Sequence, residues 1–259
     1  VFAAITPFNF PMMVPLWFLP TAIVCGNTYV VKPSPQTPLS MQLVYELLEE
    51  LDLPEGVVNL VHGGKEASMA VMEHPDVVGV SFVGSTPVAK IVYETCARHG
   101  KRVQAQGGAK NYIAVMPDAN IEASVANIMG SAFGCAGQRC LAGSVVVAVG
   151  DAYEPLRNEL VKRAGMLRVG YGLNDSTQMG TVISAAAKDR INSLIEQGVA
   201  EGAQPVLDGR GIQVDGFADG SFVGPTILDG VEPDMTVARE EIFGPVLAIM
   251  HAPDFDSAV

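Results

Sequence analysis

Positive charge is scarce in this chain. Its 259 residues carry 16 Lys and Arg against 28 Asp and Glu, a net charge of −12, and the basic residues form no cluster. A polyanion would find nothing to grip, so no nucleic-acid partner is expected. Cysteine is also sparse. Cys25, Cys96, Cys135 and Cys140 make no Cys-x-x-Cys pair and no metal-ligand spacing with the four histidines. No metal site is expected, and the pattern fits a reduced, intracellular protein, cytoplasmic or, in a eukaryote, of the mitochondrial matrix. No charged side chain precedes Lys32, which raises a membrane span as a reading. Pro7, Pro11, Pro15 and Pro20 break that stretch, so a buried strand, a proline-rich turn and a buried helix are expected instead of a membrane helix. There is neither a basic leader nor an initiating Met, so no signal peptide is expected. The GxGxxG fingerprint is missing, and Gly79 to Gly84 lacks the Lys-Ser/Thr of a P-loop. The chain has no internal repeat and no low-complexity tract.

What remains is 49% hydrophobic and 17% charged, the composition of a packed globular protein. Strands at Val1–Ile5, Thr28–Val31, Val57–Val61, Val77–Val83 and Arg102–Ala105 alternate with helical patterns. Thr37 with Pro38 at the first position opens one helix, and Val44, Leu47, Leu48 and Leu51 mark its apolar face. Lys65–His74 is a short helix, and Val88, Ile91, Val92, Thr95 and Cys96 mark the face of the next. Such alternation predicts an α/β fold with a doubly wound parallel sheet. Gly107-Gly108 reads as a boundary between a domain at 1–106 and a second α/β domain at 107–259. The second has helices at Asn120–Phe133, Tyr153–Leu167 and Ser184–Glu201, and strands at Ser144–Val149 and Val246–Met250. Gly209–Gly220 reads as a hairpin or surface loop. The chain opens inside an apolar strand and closes on what reads as a helix start, so a fragment of a longer protein is expected.

Three segments carry candidate chemistry. In Phe133-Gly134-Cys135-Ala136-Gly137-Gln138-Arg139-Cys140 a thiol follows a predicted helix across a glycine-punctuated turn. Such a junction exposes a thiol and brings it near backbone N–H groups, which is what thiolate reactivity needs. Phe82–Pro87 ends a strand and opens a helix that Ser85 or Thr86 can cap. Its glycine allows the close approach of a pyrophosphate, although taken alone a plain strand–helix turn explains it better. Pro7-Phe8-Asn9-Phe10-Pro11 holds an Asn rigidly. Its amide can donate to an oxyanion, but taken alone a turn Asn satisfied by backbone is the preferred reading. Cys25 and Cys96 read as buried packing residues. Cys135 reads as a small core residue, with a disulfide to Cys140 as the alternative. Met12, Met13, Met69, Met72 and Met129 read as core filling, and Glu49-Glu50 as a solvated helix end.

Taken together, Pro7–Pro11, Lys32-Pro33-Ser34, Phe82–Thr86, Gly137–Cys140 and Glu240–Pro245 resemble the aldehyde dehydrogenase superfamily in order and spacing. His99–Ala105, Gly108-Ala109-Lys110-Asn111 and Met116–Asn120 are most similar to its CoA-acylating, methylmalonate-semialdehyde branch. The resemblance implies a Rossmann-type coenzyme domain plus an α/β catalytic domain. It also implies NAD as cofactor, CoA as acyl acceptor, a small aldehyde substrate and a homo-oligomer in the full-length protein. It makes Cys140 the nucleophile, and Asn9 with the Cys140 N–H the oxyanion hole. Lys32 would contact the adenosine ribose, Gly84 and Ser85 the pyrophosphate, Glu241 the nicotinamide ribose, and Phe243 and Phe8 the cofactor beside it. Arg139 would hold a substrate carboxylate. The implied reaction oxidises malonate or methylmalonate semialdehyde, with loss of CO2, to acetyl-CoA or propanoyl-CoA. Two departures from the wider family stand out. Gln106 occupies the place of a glutamate general base and cannot take a proton at neutral pH, which favours CoA over water as acceptor. Pro35 replaces a glutamate that grips the ribose diol in many NAD-dependent relatives, which loosens the exclusion of NADP. A hydrolytic dehydrogenase and a silent nucleotide-binding protein on the same scaffold are the alternatives.

Overall fold

The computed structural model describes residues 1–259. The chain divides into two compact units, Val1–Gly108 and Ala109–Val259. The elements of the first are β1 (Phe2–Ile5), α1 (Met13–Val24), β2 (Tyr29–Lys32), α2 (Pro38–Glu49), β3 (Val58–Leu60), α3 (Lys65–Glu73), β4 (Gly79–Val83), α4 (Thr86–Arg98) and β5 (Arg102–Gln106). The strands form one sheet in the order β3-β2-β1-β4-β5, and every neighbouring pair is parallel.

Alternation along β1 shows why the sheet is covered on both faces. Ala4 joins a core with Leu19, Tyr29, Val31, Met41 and Tyr45, contributed by α1, β2 and α2. Its neighbours Ala3 and Ile5 point into a separate core with Met72, Val80, Phe82, Ala89, Val92 and Cys96, contributed by α3, β4 and α4. Successive strand residues face opposite ways, and a parallel strand buried on both sides must be apolar throughout. This is the doubly wound α/β arrangement that the alternation predicts.

The second unit contains β6 (Asn111–Val115), α5 (Ile121–Phe133), β7 (Gly143–Val149), α6 (Tyr153–Gly165), α7 (Ala185–Ala200), β8 (Gln204–Leu207), β9 (Thr226–Asp229), α8 (Thr236–Arg239), β10 (Val246–Ala252) and α9 (Phe255–Ala258). Its sheet runs β6-β7-β10-β9-β8; β6, β7, β10 and β9 are mutually parallel, and β8 closes the edge antiparallel to β9. Two helix starts are capped as their sequence dictates. The Asn120 side chain accepts from Ala123 N–H at 3.0 Å, and the Ser184 hydroxyl accepts from Ala187 N–H at 3.2 Å, each satisfying a donor that the first helical turn leaves open.

Several expectations need correction. Cys25 and Cys135 are exposed, not packing residues, and all four cysteines are free, so no Cys135–Cys140 disulfide forms. Met12 and Met13 are exposed, as are Trp17 and Val24 on α1, so that helix is not wholly buried. On α2 the core face is Met41 and Tyr45, while Leu47 is exposed, as is Leu51 just beyond the helix. The apolar stripe of α2 is wider than the face the sheet covers. Val88 and Ile91 are likewise exposed on α4, whose inner face is Ala89, Val92, Thr95 and Cys96. Thr37 and Ser85 occupy N-cap positions without a side-chain cap bond. The Thr86 hydroxyl instead accepts from Gly108 N–H at 2.9 Å, tying the start of α4 to the end of β5. Residues 209–220 form a loop without strands. No helix is long and apolar enough to cross a membrane.

The corrected faces can be tested by a pair of truncations. Leu228 in β9 is fully buried, and Leu228→Ala is expected to lower unfolding free energy by about 2–5 kcal/mol. Leu47 is 63% exposed, and Leu47→Ala is expected to stay within about 0.5 kcal/mol of the parent. Denaturant titration of both variants checks this, and comparable losses would restore the original reading of α2.

Candidate functional site

In the first unit the sequence-derived residues gather at one edge of the sheet. Phe8 and Asn9 follow the carboxyl end of β1, Lys32 ends β2, Gly84 and Ser85 follow β4, and Gln106 ends β5. The strand order reverses at β1, where β2 and β3 lie on one side and β4 and β5 on the other. Loops leaving the carboxyl ends on either side of such a switch point diverge and leave a crevice, the usual ligand site of open α/β sheets. Lys32 is buried, and its ammonium donates to the Pro33 carbonyl at 2.6 Å and the Gly63 carbonyl at 3.0 Å. Burial holds its pKa below the ordinary lysine value. An ammonium has three donors, so this head is fixed by two carbonyls with a third N–H to offer a hydroxyl. Gly84 N–H donates to the Gln106 carbonyl at 3.1 Å, which joins the turn after β4 to the end of β5. A side chain at Gly84 would strike the Phe82 ring, since a Cβ would lie 2.5 Å from it. A separate cavity of about 420 Å³, lined by Phe2, Trp17, Phe18, Cys25, Tyr29 and Gln104 among others, contains none of these residues.

In the second unit the loops that carry the sequence-derived residues lie at the amino edge of its sheet. Lys110 precedes β6, Cys140 precedes β7, and Glu241 and Phe243 precede β10, three strands that are adjacent in the sheet. The loop that carries Cys140 is strained. Cys135 and Ala136 have φ of 54° and 53°, and Gly137 follows at 71°. Left-handed backbone is unfavourable for residues with a Cβ, so surrounding contacts must hold it. Two do. A Cβ on Gly137 would lie 1.9 Å from the Gly244 carbonyl oxygen, so the two loops meet backbone to backbone with no room for a side chain. Gln138, buried, donates from its amide to the Cys135 carbonyl at 3.2 Å and accepts from Ile183 N–H at 2.9 Å. Phe243 is also left-handed, at φ 56°. Strain of this kind, concentrated on two touching loops, is a mark of a functional site.

Charge is arranged around the same loops. The Glu241 carboxylate accepts from Ala109 N–H, but burial outweighs that bond and the nearby Arg190 and Lys110 charges, and its pKa is raised. Arg190 donates to the Glu241 and Ile242 carbonyls at 2.9 and 2.8 Å, pinning the loop to α7. The Lys110 ammonium is buried without a hydrogen-bond partner. Burial pulls its pKa down to about 8, against the opposing pull of Glu241 and Glu240. Arg139 is half-buried, and one of its guanidinium nitrogens donates to the Gly130 carbonyl at 2.9 Å. The rest of the five-donor fork is available in kind to a carboxylate. Arg190, Gln138 and the Lys110 ammonium had no place in the sequence reading. Gln138 and Lys110 stood inside quoted motifs, whereas Arg190 carries no motif and is legible only once α7 is packed.

The first unit is a Rossmann-like sheet with loops at its switch point, and the second is a sheet whose edge carries a clamped, cysteine-bearing loop. The chain belongs to the aldehyde dehydrogenase family, whose model matches residues 1–259. It is 50% identical over 259 residues to the malonate-semialdehyde dehydrogenase of Halalkalibacterium halodurans, covering 100% of this chain and 53% of that protein. It is 48% identical to the mitochondrial, acylating methylmalonate-semialdehyde/malonate-semialdehyde dehydrogenase of Bos taurus, covering 100% of this chain and 48% of that protein. A Sinorhizobium meliloti protein crystallised with NAD, and provisionally named a methylmalonate-semialdehyde dehydrogenase, superposes with a TM-score of 0.97. It is 44% identical, over 99% of this chain and 52% of that one. The chain thus spans about half the length of the curated relatives it matches.

Two outcomes follow from this geometry. Gly137→Ala is expected to abolish activity, because it drives a Cβ into the Gly244 carbonyl at a left-handed position; turnover within tenfold of the parent would show that the loop contact is dispensable. Lys110 gives a pH signature. Its folded pKa of about 8 lies below the ordinary 10.5, so between these values the unfolded chain holds more protons and stability rises with pH. The full cost of the buried charge is present below about pH 8. Lys110→Met is therefore expected to stabilise by about 1–3 kcal/mol at pH 7, an advantage that shrinks through that window. Unfolding titrations at pH 7 and pH 10 check the sign.

Proposed function

We propose that the protein this chain belongs to oxidises malonate or methylmalonate semialdehyde with NAD and passes the acyl group to CoA. The observation that carries the reading is Cys140 on a strained loop clamped against the Phe243–Pro245 segment. Whole-chain identity near 50% to relatives named for this substrate supports it.

Cys140, as thiolate, attacks the aldehyde carbon, and the carbonyl oxygen takes up the negative charge. The Cys140 N–H and the Asn9 amide are suited to receive that charge, because neutral donors stabilise an oxyanion without neutralising it beforehand. The residues fit a dinucleotide. Lys32 has a fixed ammonium with a donor to spare for a ribose hydroxyl, Gly84 and Ser85 stand where a helix opens beyond β4, and Glu241 offers a carboxylate to a second ribose. Phe8 and Phe243 supply apolar surface beside it. When bound, the nicotinamide accepts the hydride of the oxidation. Cys140 then carries the acyl group as a thioester, the substrate carboxylate leaves as CO2 while the α-carbon takes a proton from water, and attack by the CoA thiol, which gives up its proton to solvent, breaks the thioester and regenerates the Cys140 thiolate. Arg139 holds the substrate carboxylate until that loss.

Gln106 decides the acceptor. An uncharged amide can orient a nucleophile but cannot deprotonate it. A thiol, with a pKa near 8.5, arrives partly ionised, whereas water, near 15.7, needs a base. Assembly of the whole protein as a homo-oligomer, and its cytoplasmic or, in a eukaryote, mitochondrial-matrix setting, belong to the same reading. NAD is preferred over NADP despite Pro35.

Product analysis with malonate semialdehyde tests the proposal. CoA is expected to raise turnover by about 10²–10⁴-fold, the usual worth of the general-base help that Gln106 cannot give. Cys140→Ala should abolish oxidation in either condition, and Cys135→Ala should leave it near the parent rate. Repeated turnovers to free acid without CoA, at the CoA-dependent rate, would favour a hydrolytic enzyme.

A further inference from the structure

The upstream side of Cys140 is held by Gln138 and by the Gly137–Gly244 contact. The downstream side has a different anchor. The Asn111 side-chain nitrogen donates to the Cys140 carbonyl at 2.9 Å and to the Ala142 carbonyl at 3.1 Å. Asn111 is the first residue of β6, and the β6–β7 register slips at this point. Asn111 pairs with Gly143, while Tyr112 already pairs with Val145. A bulge leaves backbone groups outside the regular ladder. Here one amide group takes two carbonyls of the segment that enters β7, where a backbone donor would serve only one.

We propose that Asn111 is a positioning residue for the nucleophile. It fixes the Cys140 carbonyl, and with it the backbone torsion that aims the Cys140 side chain and N–H. The proposal rests on the reading of Cys140 as the nucleophile. A side chain with both hydrogens engaged by two carbonyls has a defined orientation, and so does the chain between them. The amide is required in this role. Aspartate would present oxygen to both carbonyls, and serine could satisfy only one. The neighbouring Gly143 N–H donates to the Ser131 hydroxyl at 2.9 Å, so the far end of the segment is secured independently of Asn111.

The test compares Asn111→Ser and Asn111→Ala with the parent in full-length protein. Two readouts are used: the rate of the first NADH-forming turnover, and hydrogen exchange of the peptide covering residues 139–143. The first-turnover rate is expected to fall in the order parent, Ser, Ala. The Ala variant should lose about ten- to a hundredfold, because a displaced reacting group forfeits orientation. Its KM for NAD should be unchanged, and exchange should quicken in 139–143 but not in the buried strand at 145–149. A folded Ala variant with a first-turnover rate within twofold of the parent overturns the proposal. So does faster exchange spread evenly through the second unit, which would make Asn111 a general stabiliser. Should Ser fall as far as Ala, the count of donors is irrelevant and the proposal also fails. Failure of the underlying reading is distinguishable. Turnover in Cys140→Ala would remove Cys140 as nucleophile, while the local exchange result would still report whether Asn111 holds the loop.

Discussion

The contact between Gly137 and Gly244 is the constraint on which the chemistry proposed for the second unit depends. Two loops approach so closely that Gly137 tolerates no side chain at the point of contact, and a Cβ on Gly244 would meet the Ile191 side chain of α7 at 2.6 Å. The left-handed turn at Cys135 and Ala136 follows from this. A loop that must leave α5, touch Gly244 and still deliver residue 140 to the start of β7 has little chain to do it with, and it adopts torsions that a free loop would avoid. The strain is held in place by the Gln138 bridge to Ile183 and the Arg190 bonds to the facing loop. Rigidity there suits the nucleophile role proposed for Cys140, because misplacement of a reacting group by about 1 Å is costly in rate.

The two units use opposite ends of their sheets. In the first, the binding loops leave carboxyl ends at the topological switch point, a crevice that parallel connectivity creates without further design. In the second, Lys110, Cys140 and Phe243 precede their strands. No switch-point argument predicts a site there. A site proposed there has to rest on side chains and glycines, and that edge does hold the strained torsions and the side-chain-to-backbone bonds. A bound nucleotide needs mostly backbone and a few donors, whereas a covalent nucleophile needs one atom held still.

The fold was largely legible in the sequence because strand and helix periods are local. The first unit's strands and helices fall within a residue or two of expectation. In the second unit β6, β8 and β9 were not read. β6 begins with Asn and Tyr and alternates half-exposed positions, and Gln204–Leu207 includes Pro205 on an antiparallel edge, so neither offers the continuous apolar run of a central strand. Burial was misjudged where apolar residues outnumber the available core, as at Leu47, Leu51 and Ile91. Cys135 was misplaced for a different reason: a positive φ turns its side chain outward, and no composition rule anticipates that. The site residues were legible only as a set, since each motif alone has an ordinary structural explanation. Their supports, Arg190 and Gln138, act through backbone carbonyls and N–H groups that become neighbours only after folding.

Electrostatics at the second unit's loops explains why a buried ammonium is tolerable beside a half-buried glutamate. Each is disfavoured as an ion by loss of water, and each partly restores the other: Lys110 lowers the Glu241 pKa that burial raises, and Glu241 raises the Lys110 pKa that burial lowers. The compensation is incomplete in both directions. A buried pair of this kind contributes little net stability, and hydrophobic replacements would pack as well. Its consequence is that the carboxylate next to the Phe243 loop carries an incompletely offset charge. Such a carboxylate gains from any hydroxyl that donates to it, because the donor replaces solvent that burial has removed. The same reasoning applies to Lys32 in the first unit, desolvated and held by two carbonyls. In both units the charged group proposed for a ribose is one that folding has left short of partners, so hydrogen bonding to a sugar is favoured at the two places where the protein has already borne the desolvation.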